Sequence, residues 1–182
     1  MKNIIILLFT IVHTTISSQT PIIIAHRGAS AYDPENTLPA FETAIEQGAT
    51  IIETDVHQTK DSVLVLMHDL SIDRTTFGKG LIKDLTYKEY ISFKIKHKDH
   101  TFQNPYPPTL EEAIIKINGR SKLLIEIKKG NDYYPNIEKH IVDLIKKYHA
   151  ENWISTIHSF DKKALLNVAK ADSNIHLQKL IV

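Results

Sequence analysis

Short, β-branched apolar runs alternate along this chain with segments in which apolar residues recur every three or four positions. That alternation is the pattern of parallel strands joined by crossover helices, since side chains repeat with period two on a strand and about 3.6 on a helix. Strands are predicted at residues 22–26, 51–57, 63–68, 123–128, 153–159 and 175–182. Most stay apolar until their last residues, which suits strands covered on both faces. The clearest helix follows Asn36, with Leu38, Phe41, Ala44 and Ile45 on one stripe, Asn36 or Thr37 as cap, Pro39 in the first turn and Gly48 as the stop. Further helices are predicted at 110–117, 136–149 and 161–170. Residues 69–108 are less regular, with Gly78, Gly80 and a proline cluster at 105–108. They read as a long functional excursion with one short helix near Tyr87. No fixed-period repeat and no interdomain linker interrupts the pattern.

The polar residues within these runs fall at the carboxyl ends of the strands. His26 ends the first, Glu53 and Asp55 the second, His68 the third, and Glu126 and Lys128 the fourth. Alternation puts Glu53 and Asp55 on one face, and Glu126 and Lys128 likewise, so both pairs can point inward. In a parallel barrel the carboxyl ends form the face where ligands bind, and all six would converge there. Three carboxylates brought together repel unless a cation joins them. The set Glu53, Asp55 and Glu126 therefore favours a hard divalent ion, Mg²⁺ or Ca²⁺. His26 and His68 suggest general acid and base work at a phosphate, because unperturbed histidine titrates near neutrality. Arg27 suits bidentate contact with phosphate oxygens, and Gly28 allows close approach of the backbone. Asp69 either orients His68 or caps the next turn. The remaining histidines of the mature chain, at 57, 97, 100, 140, 149, 158 and 176, read as surface or packing residues.

Composition narrows the class further. The chain has 182 residues, 42% hydrophobic and 24% charged, which is ordinary for one globular core. A net charge of +1 gives no basic tail of the kind that seeks nucleic acid or anionic lipid, so charge names no partner, and the expectation of a small-molecule substrate rests on the motifs instead. The absence of cysteine leaves oxygen and imidazole as the only metal donors. Residues 1–20 combine Lys2, an apolar run at 4–12 and small polar residues near Ser18. This predicts a cleaved signal peptide and a secreted or periplasmic domain over 21–182. The apolar run is too short to span a bilayer, which takes roughly 20 residues.

The run IIAHRGASAYDPENTLPAFETAIEQGATIIETDVHQTKDSVLVLMHD resembles the amino-terminal signature of the glycerophosphodiester phosphodiesterase family. The segments IDRTTFGKG from Ile72, PTLEEA from Pro108, IEIK from Ile125 and HSFD from His158 resemble it too. The resemblance implies a TIM (β/α)8 barrel and a metal-dependent hydrolase that releases sn-glycerol 3-phosphate and an alcohol. It implies His26 and His68 as acid and base, Glu53, Asp55 and Glu126 as metal ligands, and Arg27 and Lys128 as phosphate contacts. It also suggests an active-site contact for Asn36, and residues 74–80 read either as a structured rim that closes over substrate or as a turn-rich connection. The attacking group is either water or the neighbouring glycerol hydroxyl. A complete barrel has eight strands in about 250 residues, whereas six are legible here. The expectation is therefore a barrel truncated after about six strands, with exposed strand edges and weak activity by itself. The competing readings are a non-catalytic phosphodiester- or metal-binding remnant and a phospholipase D-like enzyme of the same fold.

Overall fold

A computed structural model describes residues 21–97 and 106–181. The expected signal peptide, His100 and the first proline of the cluster lie outside the described residues. Six strands form one sheet: β1 (Ile24–Ala25), β2 (Ile51–Gln58), β3 (Leu64–Leu66), β4 (Lys122–Ile127), β5 (Ile154–Ser159) and β6 (Leu177–Lys179). Five run parallel in the order β1-β2-β4-β5-β6. Helices α1 (Leu38–Glu46), α3 (Leu110–Ile117), α4 (Ile137–Lys147) and α5 (Lys162–Ala171) connect them, and α2 (Tyr87–Tyr90) lies in the excursion. No described helix is long and apolar enough to cross a membrane.

The third strand departs from the expectation of a parallel strand. β3 pairs antiparallel with the end of β2, Val56 opposite Leu66 and Gln58 opposite Leu64. Residues 59–63 are all that separate the two strands, and a parallel return needs a crossover of about a dozen residues or more. Because Val56 also pairs with Ile127 of β4, β3 occupies the edge of β2 on which β1 lies further down. Its chain therefore runs back towards the level of Asp55, whose carbonyl accepts the Met67 amide at 3.1 Å. His68 reaches the carboxyl-end face by this return.

Local sequence accounts for the helix ends. Thr37, not Asn36, caps α1, its Oγ1 accepting the Ala40 amide at 3.3 Å, and Gly48 at φ 81° ends it. Thr109 and Glu112 form a reciprocal capping box on α3, and Thr86 and Glu89 another on α2. The main core joins Phe41, Ile52, Val56, Ile114, Leu123, Ile125, Ile141 and Ile157 between sheet and helices. A second cluster of Val65, Met67, Ile72, Ile82 and Tyr90 sits under the excursion, tied by the Tyr90 hydroxyl donating to the Leu66 carbonyl at 2.9 Å. The excursion up to residue 97 is thus a packed unit, with a 3₁₀ turn at Ile82–Asp84 besides α2.

Candidate active site

The mouth starts where β1 ends. Arg27 adopts a left-handed φ of 57° and Gly28 one of 77°. A Cβ on Gly28 would lie 2.8 Å from the Ala40 carbonyl carbon, so the turn presses the chain against α1. This turn aims the Arg27 amide at Glu53 Oε2, 2.9 Å away. The Arg27 guanidinium donates through Nη1 to Glu35 at 3.0 Å and lies 3.3 Å by Nε from Asp55 Oδ2. His26, 69% exposed, has Nε2 3.9 Å from Glu53 Oε2.

Asp55 is fully buried on β2. Asn36 Nδ2 donates to its Oδ2 at 2.8 Å, while Asn36 Oδ1 accepts the Thr54 hydroxyl and the Asp55 amide. Asn36 is therefore a site residue, and the cap role belongs to its neighbour. From β4, Lys128 places Nζ 3.2 Å from Asp55 Oδ1 and 2.9 Å from Glu126 Oε1. His158 on β5, read from sequence as a surface or packing residue, stands with Nε2 3.9 Å from both Glu53 Oε1 and Glu126 Oε2.

His68 joins through a chain of charged contacts. Its Nδ1 lies 2.7 Å from Asp69 Oδ1, and Arg74 Nε donates to Asp69 Oδ2 at 2.6 Å. Arg74 then makes two bonds to Glu35, which Arg27 also holds. The Arg74 guanidinium, aided by His68, holds the Asp69 carboxyl down to about 2. Asp69 is thus an acceptor only, so in neutral His68 the proton sits on Nδ1 and Nε2 keeps its lone pair. The orienting role for Asp69, one of two open readings, is the one the geometry favours, and Arg74 belongs to a structured rim.

His57, also read as a packing residue, is buried on β2. Its ring bonds the Tyr134 hydroxyl at Nδ1 (2.9 Å) and the His68 carbonyl at Nε2 (3.2 Å). Burial lowers its pKa to about 4, so it stays neutral and braces the backbone behind His68.

Among the described residues, four buried side-chain atoms have no hydrogen-bond partner: Arg27 Nε, Asp55 Oδ1, Glu126 Oε1 and His158 Nε2. All four belong to this mouth. Three of them are held by ion pairs, Arg27 Nε with Asp55 and the two carboxylate oxygens with Lys128, while His158 Nε2 stands 3.9 Å from two carboxylate oxygens; buried polar atoms gathered in this way fit a ligand. Glu53, Glu126 and His158 offer donor atoms within 4.8 Å of one another and could hold a metal ion. Asp55 is beside them, with two cationic side chains and an amide already on it.

Fold and site together define part of an α/β barrel whose mouth brings carboxylates and an imidazole that could hold a cation beside the cationic side chains of Arg27 and Lys128. The chain belongs to the Glycerophosphoryl diester phosphodiesterase family, whose model matches residues 26–182. A glycerophosphodiester phosphodiesterase of Caldanaerobacter subterraneus subsp. tengcongensis is 42% identical over 151 residues, covering 82% of this chain and 62% of that protein. A Bacillus subtilis protein of the same name is 34% identical, covering 87% and 58%. Among solved structures, an Oleispira antarctica phosphodiesterase in complex with the product sn-glycerol-3-phosphate has a TM-score of 0.76 at 29% identity, covering 88% of this chain and 66% of that one. A glycerophosphodiester phosphodiesterase of Agrobacterium tumefaciens has a TM-score of 0.79 at 26% identity, covering 87% and 66%. The chain thus spans about three fifths of the length of these curated relatives.

Proposed function

We propose that the protein is a divalent-cation-dependent phosphodiesterase that converts glycerophosphodiesters to sn-glycerol 3-phosphate and an alcohol. The observation that carries this reading is the convergence of Arg27 and Lys128 with Glu53, Glu126 and His158 at one mouth. The names of the relatives, and the product bound in the Oleispira structure, support the choice of substrate.

In this reading Glu53, Asp55 and Glu126 would supply oxygen ligands to the cation. A divalent cation there supplies Lewis acidity at a phosphate oxygen and offsets charge in the transition state. Arg27 and Lys128 bind the other phosphate oxygens. One of His26 and His68 takes the proton of the attacking group, either water or the neighbouring glycerol hydroxyl, and the other protonates the departing alkoxide as its P–O bond breaks; if the hydroxyl attacks, water then opens the cyclic phosphate to give sn-glycerol 3-phosphate. Asp69 and His57 hold His68 in place from its ring and its carbonyl. Which divalent ion serves turns on whether His158 joins the ligands. Residues 1–20 would direct the protein to the periplasm or outside the cell.

The test is hydrolysis of glycerophosphocholine by the full gene product, followed by release of sn-glycerol 3-phosphate. Chelation should abolish turnover and an added divalent cation should restore it. Full turnover in metal-free buffer would remove Glu53, Asp55 and Glu126 from the mechanism.

A further inference from the structure

We propose that His158 is a nitrogen ligand of the cation site, so that the site prefers a first-row transition ion such as Mn²⁺ or Zn²⁺ to Mg²⁺ or Ca²⁺. The inference rests on the reading of the mouth as a cation site and departs from the all-oxygen donor set that the sequence suggested.

Three observations carry it. First, His158 Nε2 is buried, lacks a hydrogen-bond partner and points between Glu53 Oε1 and Glu126 Oε2. A protonated imidazole serving two carboxylates would sit at about 2.7–2.9 Å from them, whereas both distances are 3.9 Å. An ion fits that spacing: donors bound at about 2.0–2.3 Å can lie up to about 4.6 Å apart on one ion. Second, neighbouring charges leave the spot open. Lys128 Nζ serves Asp55 Oδ1 and Glu126 Oε1, the Arg27 amide serves Glu53 Oε2, and the oxygens facing His158 are the other two. Glu126 is only 7% exposed, so its Oε2 faces His158 from within the protein.

Third, the backbone is bent to deliver this side chain. β5 follows β4 in register with Leu123 opposite Ile154, then shifts so that Leu124 is opposite Thr156 and Glu126 opposite His158. Without the shift, Ile157 would stand beside Glu126 and His158 would turn to the opposite face. Ile157 instead lies in the main core. An inserted residue that re-aims one side chain into a site is a recurrent use of bulges. Imidazole is a poor donor for Mg²⁺ and Ca²⁺ and a good one for transition ions, while carboxylates accept either, so a Glu-Glu-His set shifts preference to the latter.

The experiment is Mn²⁺ titration of the chelator-treated full-length protein, read by calorimetry and by pulsed electron paramagnetic resonance. A directly bound imidazole gives nitrogen coupling on Mn²⁺ in the unmodified protein. His158→Leu should lose that coupling and weaken Mn²⁺ binding at least about 10-fold, with Ca²⁺ affinity changed much less. His158→Asp should narrow the gap between Mn²⁺ and Ca²⁺ by restoring an oxygen donor. Mn²⁺ that binds at the mouth, as shown by its loss in Glu53→Gln, without nitrogen coupling would overturn the role of His158 and leave the cation site standing. Absence of any divalent binding would overturn both. Should the leucine variant fail to fold, the spectrum of the unmodified protein decides alone.

Discussion

Individual side chains at the mouth differ in how plainly the sequence announces them. If His26 and His68 are acid and base, His26→Ala and His68→Ala should each lower turnover by roughly 10²- to 10⁴-fold with the far-ultraviolet circular dichroism unchanged. Near-normal turnover in either variant would take that histidine out of the chemistry. These two, with Arg27, Glu53, Asp55, Glu126 and Lys128, were legible because each interrupts or ends an apolar strand. Asn36 was not, because its place before a helix already explains an asparagine. Only the fold brings it against Asp55 while Thr37 takes the cap. His158 was hidden for another reason: counting along β5 from Ile154 puts Ile157 beside Glu126, and a register shift that no composition rule foretells puts His158 there. His57 reads as buried, which it is, but its two partners lie 11 and 77 residues away.

Among the elements, the rim that carries Arg74 should contribute stability that depends on pH. Arg74 holds the carboxyl of Asp69 at about 2 and, by hydrogen bonding, also lowers that of Glu35. A depressed folded-state value means that the native state binds fewer protons than the unfolded chain below about pH 4, so stability rises with pH across that window. The contribution is complete above about pH 4–5 and disappears as pH falls through about 2. Thermal unfolding of the protein and of Arg74→Met should therefore differ most near pH 6 and converge towards pH 2. A gap independent of pH would mean that the carboxylates do not carry it. At this scale the sequence predicted α1, α3, α4 and α5 closely from their caps and stripes. It misjudged β3 because an apolar run looks the same in either direction, and only the short turn at residues 59–63 betrays the reversal.

For the whole molecule, pairing is unequal across the sheet. β2 and β4 are buried and bonded on both edges, whereas among the described residues β1 has two rungs and β6 three, each on one side only. Hydrogen exchange should accordingly be slowest for amides of Ile52–Val56 in β2 and 124–127 in β4, and faster by orders of magnitude in β1 and β6 through local opening. Uniform protection across all strands would contradict this ordering. The barrel class was readable because alternating strands and helices leave few other arrangements, while the sheet order depended on the reversal of β3. The gathering of Glu53 and Glu126 around one spot has a thermal consequence. With nothing bound, that corner opposes folding, since close carboxylates repel. Glu53→Gln keeps an oxygen for the Arg27 amide and removes one charge, so in chelator it should melt higher than the unmodified protein. Each kcal/mol is worth roughly 2–4 °C in a domain of this size. Added divalent ion should reverse the ranking, because ligand binding to the folded state stabilises only a protein that retains the ligands. Such a reversal in calorimetry would mark the mouth as a region selected for activity against thermostability.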